Sequence, residues 1–253
     1  MTLTELDTLL SSTLNHAAWV SRDKSLNGLQ VGRSQPEIGR VAFSVDACLQ
    51  SFERAAAAGA DVLVVHHGLF WGSPLAVTGD HRRRLQFLFD HDLALWASHL
   101  PLDAHPALGN NAGLAQALGL TDVTPFGDYR GAKIGVRGTL PSPQPLDWFC
   151  ERLFHGRENV LQVLPFGKKA VRTVGLVSGG APHDVHEAIA EGLDLFITGD
   201  ADHTIHHTAL EAGINVISGG HYATETWGVR LLAAHVQKQT ALSTVFLDLP
   251  TGL

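Results

Sequence analysis

Apolar runs of four to seven residues alternate along the whole chain with segments of helical period. That alternation restricts the fold to repeated βα units around largely parallel sheets. Strands are expected at Val41–Val45, Val62–Val65, Leu93–Ala97, Ile134–Gly138, Val171–Val177, Leu195–Thr198, Asn215–Ile217 and Ser243–Leu247. Helices are expected between them, at Leu3–Leu14 behind Thr2 or Thr4 as N-cap, and at Leu49–Ala58, Arg82–Phe89, Asn111–Leu118, Pro145–Phe154, His183–Glu191, Thr204–Glu211 and Ala223–Gln237. Leu146, Phe149, Cys150 and Leu153 fall at i, i+3, i+4 and i+7, the spacing of one packed helix face.

At 253 residues the chain has length for one large domain or two smaller ones. Polar, Pro- and Gly-bearing Thr124–Asp128 marks an expected boundary, and Ser218–Gly220 a second crossing. Eighteen Lys and Arg against twenty-five Asp and Glu give a formal charge of −7, so no global basic field is available to hold a polyanion. The local run Arg82-Arg83-Arg84 is either a solvated face or a phosphate or subunit contact. Cys48 and Cys150 are far apart and outside any CxxC, which argues for buried thiols in a reducing compartment. No basic leader opens the chain and no stretch of about 18 apolar residues occurs, so a soluble, cytoplasmic protein without membrane partners is expected.

Fifteen histidines nearly equal Lys and Arg together, and they cluster after strands. His66-His67-Gly68 follows the apolar Val62–Val65; neighbouring side chains of a strand face opposite ways, so both imidazoles converge only if the chain turns there, which Gly68 permits. Open α/β sheets place their ligands at such carboxyl strand ends. Ser98-His99, Asp103 and His105 follow the next strand, where a turn cap is the lesser reading of Asp103 and His105 reads as a bystander. After Val216-Ile217 come Gly219-Gly220-His221 and Glu225; His221 and Glu225, four apart at a helix start, share one face. Thr198-Gly199-Asp200 and His203 are candidates to line the same cavity, and Val177–Gly180 reads as a tight turn or an anion-holding loop.

Three imidazoles and two carboxylates, His66, His67, Asp103, His221 and Glu225, suit zinc, iron, manganese or nickel and not a calcium cage. Five ligands exceed the three of a tetrahedral catalytic ion and suit two ions about 3.5–4 Å apart sharing a carboxylate or a hydroxide, a pair that would lower the pKa of a bridging water and polarise the substrate oxygen. GxGxxG, GxxxxGK[ST], GxSxG and HExxH are all absent, leaving dinucleotide, P-loop, serine-hydrolase and zincin readings without their motifs.

Together, His66-His67-Gly68, Ser98-His99 with Leu102–His105, and Gly219-Gly220-His221 with Ala223-Thr224-Glu225 resemble the NGG-interacting-factor-three-like family, catalogued as GTP cyclohydrolase type 1, type 2 homologues. Asn27–Gly32 and Thr198-Gly199-Asp200 extend the resemblance over essentially the whole chain. His99–His105 and Gly109–Ala112 are most similar to its short, YbgI-like bacterial branch. The resemblance implies two related α/β domains, residues 1–125 completed by 221–253 and residues 126–220, with a metal site in the inter-domain cleft. It further implies two divalent metal ions held by His66, His67, Asp103, His221 and Glu225, and a toroidal homohexamer. Lys24-Ser25 and Asp200 depart from residues frequent in the family, which bears on substrate contacts more than on metal binding.

The function expected is metal-dependent hydrolysis of a small nucleotide-like substrate, with His99, Asp200 or His203 moving the proton. GTP ring-opening is not the expected chemistry, because type 1 cyclohydrolase activity belongs to another fold. Metal binding or delivery without turnover, and a ring-shaped scaffold for nucleic acid or protein, are the alternatives.

Overall fold

The structure, a computed structural model, describes residues 1–253 and divides the chain into two compact units, residues 1–102 with 229–249 and residues 103–228 with 250–253. The first is built on α1 (Leu3–Thr13), β1 (Gly28–Val31), β2 (Arg40–Asp46), α2 (Leu49–Ala57), β3 (Val62–His67), α3 (Gly79–Asp90) and β4 (Ala94–Ala97). A short α4 (Leu100–Asp103) ends this stretch. The second carries α5 (Asn110–Leu118), β5 (Thr121–Tyr129), β6 (Ala132–Gln144), α6 (Leu146–Phe154), β7 (Gln162–Pro165), β8 (Val171–Val177), α7 (Val185–Ala190), β9 (Leu195–Thr198), α8 (His206–Ala212) and β10 (Asn215–Ser218). Helix α9 (His221–Gln239) contains the passage back to the first unit at Gly228, and β11 (Ser243–Phe246) follows.

In the first unit the strand order is β1-β4-β3-β2-β11, with β4, β3, β2 and β11 parallel and β1 antiparallel at one edge. Register sets Ala42, Leu63 and Leu95 side by side, and on the opposite face Phe43, Val64 and Trp96. All six are buried, as both faces of a parallel sheet must be when helices cover them. Ala42, Leu63 and Leu95 join Phe52 of α2 and Leu85 and Leu88 of α3 in one cluster. Trp96 donates its indole N–H to Asp7 of α1 at 2.8 Å, which satisfies the one polar atom of a fully buried ring. Thr2, not Thr4, caps α1: its hydroxyl accepts from Glu5 N at 3.2 Å while the Glu5 carboxylate accepts from Thr2 N at 2.7 Å.

The second unit has strand order β5-β6-β8-β9-β10-β7, with a parallel centre β8-β9-β10 and antiparallel strands toward both edges. Phe149, Cys150 and Leu153 of α6 pack with Leu176, Leu195 and Ile217, as the helical spacing requires. Burial pushes the Cys150 thiol up, and both cysteines are free.

The units change hands at Leu102 and Gly228, against the expected boundaries at 125 and 220. The reason is local. Thr124–Asp128 lies inside β5 and pairs with β6, while Asn111 of α5 donates to Ile134 O of β6 at 2.9 Å, so residues 103–125 are tied to the second sheet.

Candidate metal-binding groups

The first group stands at the carboxyl ends of β3 and β4. The ligand nitrogens of His66, His67 and His99 lie within 4.8 Å of one another, a span that one ion or two adjacent ions can bridge. Each imidazole has its Nδ1 on an oxygen acceptor. His66 Nδ1 donates to Ser98 O at 2.9 Å, His67 Nδ1 to Asp46 Oδ1 at 2.8 Å, and His99 Nδ1 to Asp23 Oδ1 at 3.0 Å. Because carbonyl and carboxylate oxygens only accept, Nδ1 carries the hydrogen, which leaves Nε2 as the ring nitrogen a metal would take. Trp71 sets its ring 4.9 Å from that of His99 and 5.9 Å from that of His67.

Asp23 is the most heavily used of these oxygen partners. Its carboxylate accepts from His99 Nδ1, Ser25 N, Asn27 Nδ2 and Leu100 N at 2.9–3.0 Å. Burial works against its charge, yet the His99 bond and the Asn27 and Ser25 donors outweigh it and hold the carboxyl below the usual range. Asn27 also accepts the His99 backbone N–H at 2.8 Å. Gly68 makes room for Gln30: a Cβ there would stand 2.3 Å from Gln30 Nε2, and Gln30 Oε1 accepts Leu69 N at 2.8 Å.

The second group belongs to the other unit and is carboxylate-rich. His221, the first residue of α9, has Nδ1 2.9 Å from Asp200 Oδ1 and Nε2 3.2 Å from Glu225 Oε1 one turn along the helix. Burial opposes a charge on this imidazole, but Glu225 and then Asp200 outweigh it and push its pKa up to about 9. Any metal ion taking Nε2 must displace that proton. Asp103 is buried and accepts from Asn110 Nδ2 at 2.8 Å and from Ser178 Oγ at 2.9 Å.

Val177–Gly180 proves to be packing space for these groups. Gly179 has φ +67°, its N–H donates to Thr224 Oγ1 at 3.0 Å, and a Cβ on it would stand 2.2 Å from Glu225 Oε1. A Cβ on Gly180 would stand 2.8 Å from Asp200 Oδ2. Side chains larger than hydrogen would displace both carboxylates.

His66, His67 and His99 converge in one group, and His221, Glu225 and Asp200 in another. Asp200 faces the ring nitrogen of His221 that orients it, not open space alone. His203 is exposed in the next turn, beside Asp202. His105 caps a turn, its Nδ1 accepting Leu108 N at 2.9 Å. Asp23 and Asp46 were not singled out from sequence. Asp46 was open to detection, because it ends the parallel neighbour of β3 in register with His67. Asp23 sits in a loop with no period to mark it.

The DUF34/NIF3 (NGG1p interacting factor 3) family profile matches residues 1–251. The chain belongs to this family. Among curated relatives, "GTP cyclohydrolase 1 type 2 homolog" of Treponema pallidum is 46% identical over 286 residues, covering 100% of both chains. The Deinococcus radiodurans protein of the same name is 48% identical over 91% of this chain and 88% of its own. A crystallised Thermus thermophilus protein superposes with TM-score 0.90 at 42% identity, and protein ybgI, described as of unknown function, with TM-score 0.90 at 35%; each comparison covers 100% of both chains. The two mixed sheets are therefore the DUF34/NIF3 fold, and the chain carries His and Glu groups able to hold metal. No helix is long and apolar enough to cross a membrane.

Proposed function

We propose that this DUF34/NIF3 protein is a dinuclear metal-dependent hydrolase of a small nucleotide-like substrate. The observation that carries the reading is shared by four imidazoles: His66, His67, His99 and His221 each have Nδ1 anchored on a carbonyl or carboxylate oxygen. Donors prepared in this way fit a divalent transition metal, since the outer hydrogen bond fixes the ring and raises its basicity. His66, His67, Asp103, His221 and Glu225 would hold the ions. When bound, two such ions activate a water at neutral pH and polarise the bond to be cleaved.

The chain's own groups do the remaining work. Asp23 and Asp46 keep His99 and His67 in one tautomer. Asp200, whose side chain is 45% exposed, accepts the Nδ1–H of His221 and would be the first group to take a proton from the reaction. His99, at 23% exposure, is the second group placed to take a proton; exposed His203 is the third. The name borne by the relatives brings GTP into the substrate panel without assigning ring-opening to this chain.

The test is elemental analysis of tag-free protein beside His66→Ala and Glu225→Ala, with hydrolysis of nucleotides, GTP included, and phosphoesters followed on the same samples. About two metal ions per chain, lost in both variants together with turnover, is the expected result. Two ions with no turnover on any substrate replaces catalysis by metal handling. Absence of metal after reconstitution overturns the reading.

A further inference from the structure

A cavity of about 220 Å³ opens within the first unit. Its polar walls are His16, Lys24, Ser25 and Asn27, and the exposed side chains of Val20 and Leu26 form its apolar part. This is below the about 300–1,000 Å³ of pockets that enclose a whole drug-sized ligand, and suits one end of a molecule.

Ser25 is the feature that requires an occupant. It is 7% exposed, and its Oγ is buried without a hydrogen-bond partner. Its backbone is already committed: Ser25 N donates to Asp23 Oδ1 at 2.9 Å and Ser25 O accepts Asn27 N at 3.0 Å. A buried hydroxyl left unsatisfied costs about 1–3 kcal/mol, so it is expected to meet either water or a ligand. The neighbouring Lys24 is exposed and takes part in none of the ion pairs. No carboxylate is among the lining residues. The nearest acid in sequence, Asp23, has its carboxylate spent on four donors. His16 is stacked on Trp96 with ring centroids 5.1 Å apart, and its Nε2 is 3.0 Å from Ser98 Oγ. Burial pushes its pKa down to about 4, leaving a neutral ring at the wall.

The cavity therefore has one ammonium outside every ion pair and, in its wall, one hydroxyl without a hydrogen-bond partner, on a loop tied to Asp23 through Ser25 N and Asn27 Nδ2. Gly72, with φ +73°, closes it from the segment that follows Trp71; a Cβ there would stand 3.1 Å from Lys24 O. An ammonium is a compact point charge that suits the tetrahedral oxygens of phosphate, whereas planar carboxylates are better met by the fork of an arginine.

We infer that the Lys24–Ser25 cavity is a subsite for a phosphomonoester, whose phosphate is held by Lys24 Nζ and Ser25 Oγ while Val20 and Leu26 contact its carbon skeleton. Asn27 and Asp23 bond directly to His99, so an occupant sits one residue from the histidine group. Its role as the substrate's anchoring end rests on the hydrolase reading; phosphate binding does not.

The experiment titrates ribose 5-phosphate, inorganic phosphate and ribose into full-length protein, metal-free and as purified, by calorimetry, with Lys24→Gln and Ser25→Ala alongside. Ser25→Ala removes an unsatisfied hydroxyl and should fold as well as the parent. Saturable binding of ribose 5-phosphate tighter than phosphate, none of ribose, and at least a tenfold loss in each variant at unchanged metal content is expected. Equal affinities in parent and variants, or no saturable binding by the metal-free parent, overturns it and identifies the cavity as a water site. Absence of metal from the reconstituted parent defeats the hydrolase reading alone, because the metal-free arm still reads the subsite.

Discussion

The two donor groups use one device to different ends. In the first unit three imidazoles stand together, each held from behind by a single oxygen at Nδ1. In the second, one imidazole is clamped between two carboxylates and holds its proton up to about pH 9. Nitrogen-rich sites suit zinc, iron or nickel, and carboxylate-rich ones extend to manganese. The two groups are thus expected to differ in metal preference even though every ring is oriented in the same way.

The most severe way to break that comparison is through the glycines. Gly179→Ala sets a Cβ against the Glu225 carboxylate at a left-handed backbone position. Destabilisation of about 3 kcal/mol is expected, with metal lost from the carboxylate-rich group, checked by denaturant titration and elemental analysis. Gly68→Ala meets the movable end of Gln30 and should cost about 1 kcal/mol with metal retained. Equal penalties would erase the distinction.

Next come the carboxylates behind the rings. Asp23→Ala strands the N–H groups of Ser25 and Leu100 as well as freeing His99, so it should lose about 2–3 kcal/mol of stability and weaken metal binding. Asp46→Ala and Asp200→Ala, at half-exposed positions, should weaken metal binding about 10–100-fold with little change in stability. Competition with a chelator measures the first effect and thermal melting the second.

The smallest effects sharpen the comparison through pH. His16 in the first unit stays neutral down to about pH 4, so between about 6.5 and 4 the unfolded chain binds the proton first and stability falls as pH falls. In the second unit, burial and the neighbouring Glu187 and Asp128 charges, against Lys133 and His183, push Asp184 up to about 6. The folded chain then holds that proton, and stability falls as pH rises from 3.8 to about 6. His16→Gln should remove the first slope and Asp184→Asn the second, with Asp184→Asn more stable than the parent at about pH 7. Melting curves across this acid-to-neutral range distinguish the two.

The eight strands legible in the sequence carry apolar runs, and central ones such as Val62–Val65 and Leu195–Thr198 are buried on both faces. The three that were not, β1, β5 and β7, are all antiparallel edge strands with mixed exposure. Pro125 read as a linker, yet it sits in β5, where an edge can tolerate a residue without an N–H. The ligand candidates were legible for the same reason as the central strands, because they follow them directly. What orients those candidates was not: Asp23 and Asp46 meet His99 and His67 across 76 and 21 residues of sequence.

The irregularity of β5 bears on self-association. Between Thr121 and Thr124 its register slips, Asp122 has φ +51°, and Gly127 turns left-handed at φ +71° beyond Pro125. An outside strand seeking to extend the second sheet finds a bent template with a donor missing. Copies of this protein are thereby kept from joining edge to edge along β5.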